Sequence, residues 1–230
     1  IRSCLVGSEM CIRDRTEGLP RGQRFLASFF PPDFVSRWSE ILDGVLESLW
    51  MTVTSTVVGV MLSVPVGLGA AKNLAPKPVY LICRAIVALS RTFPEIILAI
   101  FFVKVFGFGP FAGFLALSVA TVGFYAKLLA EDIEAMDPTP AEAVRATGAG
   151  WFQWLNYAVQ PQVMPRMIGL GLYRLDINFR ESAVVGIVGG GGIGATLLTA
   201  FDRYEFESAA AILLVIIGIV MVVEYSSGWI

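Results

Sequence analysis

Apolar residues in this chain fall in long unbroken runs rather than in the alternations of a soluble core. Residues 48–71 carry no charge and are rich in Val, Leu, Thr and Gly. A helix that crosses a bilayer needs about 20 mostly apolar residues, so this run predicts a first span. Pro65, with Gly67 and Gly69 near its end, predicts a kink or a close helix contact. Residues 79–105 form a second run, cut in its middle by Ser90-Arg91-Thr92-Phe93-Pro94-Glu95. Pro94 removes a backbone donor and clashes with the turn before it. In lipid the freed carbonyl must find another partner, so the break is expected to face protein or a water-lined path. Residues 111–130 predict a third span. A fourth helix is expected from about Met164 to Val185, studded with Arg174, Asp176, Asn178, Arg180 and Glu181. A short fifth span is expected over residues 208–223.

Composition narrows the class. Hydrophobic residues make up 56% and charged residues 16%, against about 25% charged in soluble domains. The reading is therefore an integral membrane protein of all-α fold. A net charge of −2 without a basic cluster argues against a nucleic-acid partner. The chain has no histidine, which removes the commonest general base and the commonest metal ligand. Cys4, Cys11 and Cys83 have neither disulfide nor metal spacing. With no clustered carboxylates and no activated nucleophile, no enzyme site, cofactor or metal is expected. The pattern G-x-x-x-x-G-K-[ST] is absent, so ATP hydrolysis would have to come from another chain.

Residues 1–15 resemble a translated sequencing-adapter scar and are set aside as non-native. Residues 16–47 read as an amphipathic segment lying at the membrane interface, with a soluble linker as the alternative. Residues 48–230 are the membrane domain, interrupted by the polar stretch 131–162. Lys72 and Lys77 lie in the loop 71–78, none in 106–110, and only Arg203 in 189–207. The excess of Lys in the first loop puts that loop, and with it 131–162, in the cytoplasm.

The polar stretch predicts a helix–turn–helix knob. Thr139 can cap a helix starting at Pro140, and Gly148 would end it. A second short helix over 151–159 would expose Trp151, Trp154 and Tyr157, and Pro161 would stop it. Exposed aromatics of this kind suit a partner's groove.

Glu142-Ala143-Val144, with Gly148 four residues on and Pro161 thirteen residues after that, resembles the EAA coupling loop of binding-protein-dependent ABC importers. Val144, Ala158 and Gln160 depart from the usual pattern, and a plain connecting loop is the alternative. The resemblance implies that Glu142, Ala143, Gly148, Trp151 and Pro161 couple the chain to cytoplasmic ABC ATPase subunits. It extends over most of 17–225, where the chain is similar to the phosphonate-type importer permease. The shared words are Phe29-Phe30-Pro31-Pro32-Asp33-Phe34, Ala71-Lys72-Asn73-Leu74-Ala75-Pro76, Arg91-Thr92-Phe93-Pro94-Glu95, Phe106-Gly107-Phe108-Gly109-Pro110, Arg145-Ala146-Thr147-Gly148-Ala149 and Leu172-Tyr173-Arg174. This implies the five visible spans of a type I ABC importer permease with a cytoplasmic coupling loop. It also implies a bacterial inner membrane, a second permease copy in a homodimer and an extracytoplasmic substrate-binding protein. ATP would be used by the partner ATPase. The implied cargo is a phosphonate, phosphite or phosphate-type anion, with methionine or another amino acid as the alternative. Family members carry one further helix ahead of this region, expected to be lost where residues 1–15 now stand.

Gly189, Gly191 and Gly194 fit G-x-G-x-x-G literally, but the strand and βαβ context of a nucleotide site are missing. They are expected to form a flexible turn at the extracytoplasmic mouth, where glycines let helices approach. Charges inside spans are costly and are usually functional or paired. Asp176 with Arg180, and Arg91 with Glu95, are each four apart and can pair on one helix face. These five positions, counting Arg174, are candidates for a translocation path; structural pairing is the alternative. Arginine suits phosphonate oxygens because its fork gives two parallel hydrogen bonds.

Overall fold

The computed structural model describes residues 22, 23, 25 and 27–227, so the expected scar over 1–15 lies outside them. The described residues are helical, with no strand among them. The helices are α1 (Trp38–Ala70), α2 (Lys77–Thr92), α3 (Glu95–Phe106), α4 (Pro110–Glu134), α5 (Pro138–Ala146), α6 (Trp151–Trp154), α7 (Gln160–Val185), α8 (Gly192–Asp202) and α9 (Phe206–Ser227). Single π-helical turns, Leu155–Val159 and Gly186–Gly190, flank α7. Three helices, α1, α4 and α9, are long and apolar enough to cross a membrane. The count reaches five if each of two bent pairs, α2 with α3 and the run Trp151–Gly190 with α8, is one span.

Lipid tails are as apolar as leucine, so helices in a bilayer associate through close packing and polar contacts. The buried face of α1 shows this directly. It reads Gly44, Ser48, Thr52, Ser55, Thr56, Gly59, Ser63 and Gly67, small residues at helical spacing. This face packs along α4, whose buried residues include Gly113, Ala116, Ser118, Ala120, Thr121, Gly123 and Ala126. Large apolar side chains such as Trp50, Met61, Ile97 and Val222 point outward.

Helix α1 starts at Trp38, ten residues before the expected span, so residues 38–47 are not a separate interfacial segment. Hydropathy missed this because the extra turns are held by packing rather than by lipid. Ile41 and Gly44 are buried against α8, so tightly that a Cβ on Gly44 would lie 3.2 Å from Ile193 Cα. Ahead of α1, Phe25 and Phe29 pack on Phe206 at the start of α9. Helix α8 lies within 189–207, where hydropathy predicts a loop. The fourth helix also differs from expectation. Pro161 does not stop a short helix; the chain stays helical from Trp151 through α7. The π turn Leu155–Val159 shifts the bonding by one residue, with Gln160 N donating to Leu155 O, just before the proline whose N–H is missing.

The α2–α3 pair bends by 90° between Thr92 and Glu95, at Pro94 as its chemistry predicted. Loops sort to two ends. At one, Lys72 N donates to the Glu134 carboxylate at 2.7 Å and Asn73 Nδ2 to Ile133 O at 2.8 Å, beside the knob. At the other, Gly109 N donates to Gly189 O at 3.0 Å.

Candidate functional site

The knob at one end is built from α5, α6 and the π turn. Its first helix starts at Pro138 and its cap is Asp137, not Thr139: Asp137 Oδ1 accepts from Thr139 N at 2.9 Å. Proline has no N–H to cap, so the acceptor has to stand before Pro138. That bond holds the Asp137 carboxyl below the ordinary carboxylate range. Gly148 sits at φ 81°, a left-handed conformation that other residues adopt with strain, and space around its Cα is open. Glu142 and Ala143 are exposed. A concavity of about 530 Å³ lies between the knob helices, lined by Ala143, Val144, Thr147, Gly148, Gln153 and Tyr157.

The aromatic anchors are not the three expected. Trp151 and Tyr157 are exposed, at 49% and 74%, but Trp154 is only 3% exposed and Phe152 projects in its place, at 75%. Trp154 packs inside the knob, its Nε1 donating to Ala141 O at 3.0 Å with the Arg145 guanidinium 4.2 Å over its ring. Gln162, overlooked in the sequence, closes the knob: its side-chain amide accepts from Asp137 N at 3.1 Å and donates to Asp137 O at 3.3 Å. Pro161 lies one residue before it, in the first turn of α7.

The second feature is a polar cluster buried between α1, α4 and α7. Asn178 Nδ2 donates to Thr56 Oγ1 at 2.8 Å and to Thr121 Oγ1 at 2.9 Å, and Arg174 Nε donates to Thr121 Oγ1 at 3.1 Å. Three helices, α1, α4 and α7, are thus joined at one point. Arg174 is 3% exposed, and its Nη2 stands 3.6 Å from Glu95 Oε1 across the α2–α3 break. Glu95 therefore faces Arg174, not Arg91 as its spacing suggested: the break turns Arg91 and Glu95 onto different helices. Asp176 does pair with Arg180 one turn on, through Arg180 Nη2 and Asp176 Oδ2, while Asp176 Oδ1 has no partner. Asn178 stood out in the fourth helix, but Thr56 and Thr121 carried no sequence signal, since single threonines are ordinary in spans.

The glycine turn is packed rather than loose. Gly190, Gly191 and Gly194 are buried, and a Cβ on Gly194 would lie 2.0 Å from Ala183 O. Gly189 takes φ 101° with Phe108 against it. The turn is pinned to α1 where Ile193 N donates to Ser48 Oγ at 2.9 Å. Beyond it, at the end opposite the knob, Arg37 pairs with Glu205 at 3.1 Å and a concavity of about 690 Å³ opens beside Tyr204.

Residues 63–230 match the family described as binding-protein-dependent transport system inner membrane component. The chain belongs to that family. It is 42% identical over 201 residues to the phosphate-import permease protein PhnE of Mycolicibacterium smegmatis, covering 87% of this chain and 38% of that one. It is 40% identical over 212 residues to the phosphite transport system permease protein PtxC of Stutzerimonas stutzeri, covering 92% and 77%. Among solved structures, an inward-facing MetNI methionine ABC transporter superposes with a TM-score of 0.71 at 26% identity, covering 82% of this chain and 93% of that one. The all-α importer-permease fold and a multi-pass place in the bacterial inner membrane follow.

Proposed function

We propose that this chain is the permease of an ATP-driven importer for phosphonate, phosphite or phosphate-type oxyanions. It works as a homodimer, with cytoplasmic ATPase subunits and an extracytoplasmic substrate-binding protein, and makes or breaks no covalent bond. Glu142, Ala143, Gly148, Trp151 and Pro161 form the surface that the ATPase pushes. Arg91, Glu95, Arg174, Asp176 and Arg180 line or brace the path, and Gly189, Gly191 and Gly194 form the tight turn at its outer mouth. Closure of the ATPases on ATP would drive the knobs together and rock the helix cores between inward- and outward-facing states.

The observation that carries the choice of cargo is the 40–42% identity to permeases named for phosphate and phosphite, against 26% to the methionine transporter. A buried arginine at a broken span also suits an anion better than an apolar side chain. The test is uptake into proteoliposomes by the complete importer with its receptor, using radiolabelled phosphate, phosphite, methylphosphonate and methionine. ATP-dependent uptake of at least one oxyanion is expected, and uptake of methionine alone would overturn the reading.

A further inference from the structure

The break between α2 and α3 holds more than a bend. A cavity of about 270 Å³ opens there, lined by Ser90, Arg91, Glu95, Phe124 and Arg174. Arg174 reaches it from α7 almost wholly buried, and its Nη2 makes no hydrogen bond. The guanidinium lies 5.3 Å from the Phe124 ring centroid. A buried guanidinium N–H held only by an ion pair at 3.6 Å is under-satisfied and costly, so it marks a place where a closer partner fits. The twelve-residue helix α3 begins at the same cavity. It has no side-chain cap, and the backbone N–H groups of Glu95 and Ile96 donate to nothing in the structure. Free amides at a helix start favour an anion, and broken membrane helices present such ends at mid-depth. Arg91, exposed and without an ion pair among the described residues, adds a second cation at the rim.

The anion now nearest Arg174 is the chain's own Glu95. The 3.6 Å separation is long beside the about 2.7–2.9 Å of a charge-assisted bond. Glu181 on α7 acts electrostatically on both Arg174 and Glu95. We propose that this cavity is an oxyanion-binding subsite inside the membrane domain, in which Glu95 is a displaceable stand-in for the tetrahedral oxyanion being carried. The oxyanion takes two N–H groups of Arg174 and the free amides of α3, while the Glu95 carboxylate swings toward Arg91 and the cavity rim. Thr121, itself bonded by Asn178, holds Arg174 in place from behind. Because Glu95 returns when the ion leaves, Arg174 is never left without a counter-charge and the empty path resists leak.

This inference rests on the oxyanion reading, and the two fail separately. The complete importer, purified without its receptor, is titrated with methylphosphonate and with inorganic phosphate, and binding is read by calorimetry. Glu95→Gln removes the competitor and is expected to bind at least fivefold tighter than the parent complex. Arg174→Gln is expected to lose binding, and Arg174→Lys to retain part of it. Glu95 binding data decide the matter even if Arg174→Gln does not assemble. A purely structural ion pair would give Glu95→Gln equal or weaker oxyanion binding, and that result overturns the subsite. If the parent importer with receptor takes up oxyanions while Glu95→Gln binds no tighter, the subsite alone falls. If it takes up none, the cargo reading falls first.

Discussion

Trp154 lies at the foot of the knob, and its truncation separates two roles that aromatic residues play there. The residue contributes its indole area, one hydrogen bond to Ala141 O at 3.0 Å and a guanidinium stacked at 4.2 Å. Truncating a buried Trp to Ala costs about 3–5 kcal/mol in soluble cores. Part of that is the lost indole hydrogen bond, at about 0.5–1.5 kcal/mol, and part is the cation–π contact, at about 0.5–1 kcal/mol. Taking about 4 kcal/mol, and about 1.4 kcal/mol per tenfold, local opening of the knob should become roughly a thousandfold more frequent. The assay is amide hydrogen exchange over residues 141–146 in the assembled importer, with ATPase rate and uptake measured on the same samples. Trp154→Ala should lose protection there and lose uptake, with ATP hydrolysis continuing uncoupled. Trp151→Ala and Tyr157→Ala, which truncate exposed rings, should weaken ATPase binding while leaving protection over 141–146 unchanged. Unaltered exchange in Trp154→Ala would refute the claim that this side chain holds the knob together.

Gly148→Asp should uncouple ATP hydrolysis from uptake with membrane insertion intact, whereas Gly148→Asn, which tolerates positive φ without adding charge, should keep most of the uptake; insertion and transport assays check both. Asn178→Leu removes two hydrogen bonds that join three helices, and at about 0.6 kcal/mol for each such bond in a membrane it should cost about 1 kcal/mol, read as a lower thermal midpoint of the purified complex. Gly194→Ala puts a methyl 2.0 Å from Ala183 O, so α7 and α8 must part, and assembled complex should fall several-fold by size-exclusion yield. The Asp137 cap is anionic and its carboxyl sits below the ordinary value of 3.8. Its contribution is therefore full above that value and is lost only as pH falls through the lower folded one, so the protection of the Thr139 amide, its exchange rate relative to the unfolded chain at the same pH, should be flat from neutral pH down to about that ordinary value.

Periodicity and hydropathy located what the bilayer demands. The runs beginning near Ser48, Val79 and Phe111 are helices, and Pro94 breaks the second as backbone chemistry requires. Spacing also located the knob, because Gly148 acts through local backbone rules, although its first helix starts at Pro138 behind Asp137 rather than at Pro140 behind Thr139. What stayed hidden depends on neighbours distant in sequence. Trp154 and Trp151 look alike in a helical run until α5 folds against it and Ala141 and Arg145 cover one of them. Glu95 looks like a partner for Arg91 until the chain bends by 90° and delivers it to Arg174, 79 residues on. Helix α8 is invisible to hydropathy because Gly44 and Ser48, not lipid, hold it.

The continuity of the Trp151–Gly190 run carries the main functional consequence. A short helix stopped at Pro161 would have left the knob on a loop, free to move without moving the membrane core. As built, the helical run that bears Trp151 and Trp154 also bears Arg174 and Asn178, and it ends in the glycine turn pinned to Ser48. Gln162 fastens the other limb of the knob, at Asp137, to the same helix. Displacement of the knob therefore has few soft joints at which to dissipate, and the nearest is the π turn itself, one turn from Trp154. Coupling between distant sites requires an element with two discrete positions that both sites bias. On the proposed function, the knob would bias α7 from one end, and an anion at Arg174 would bias it from the middle.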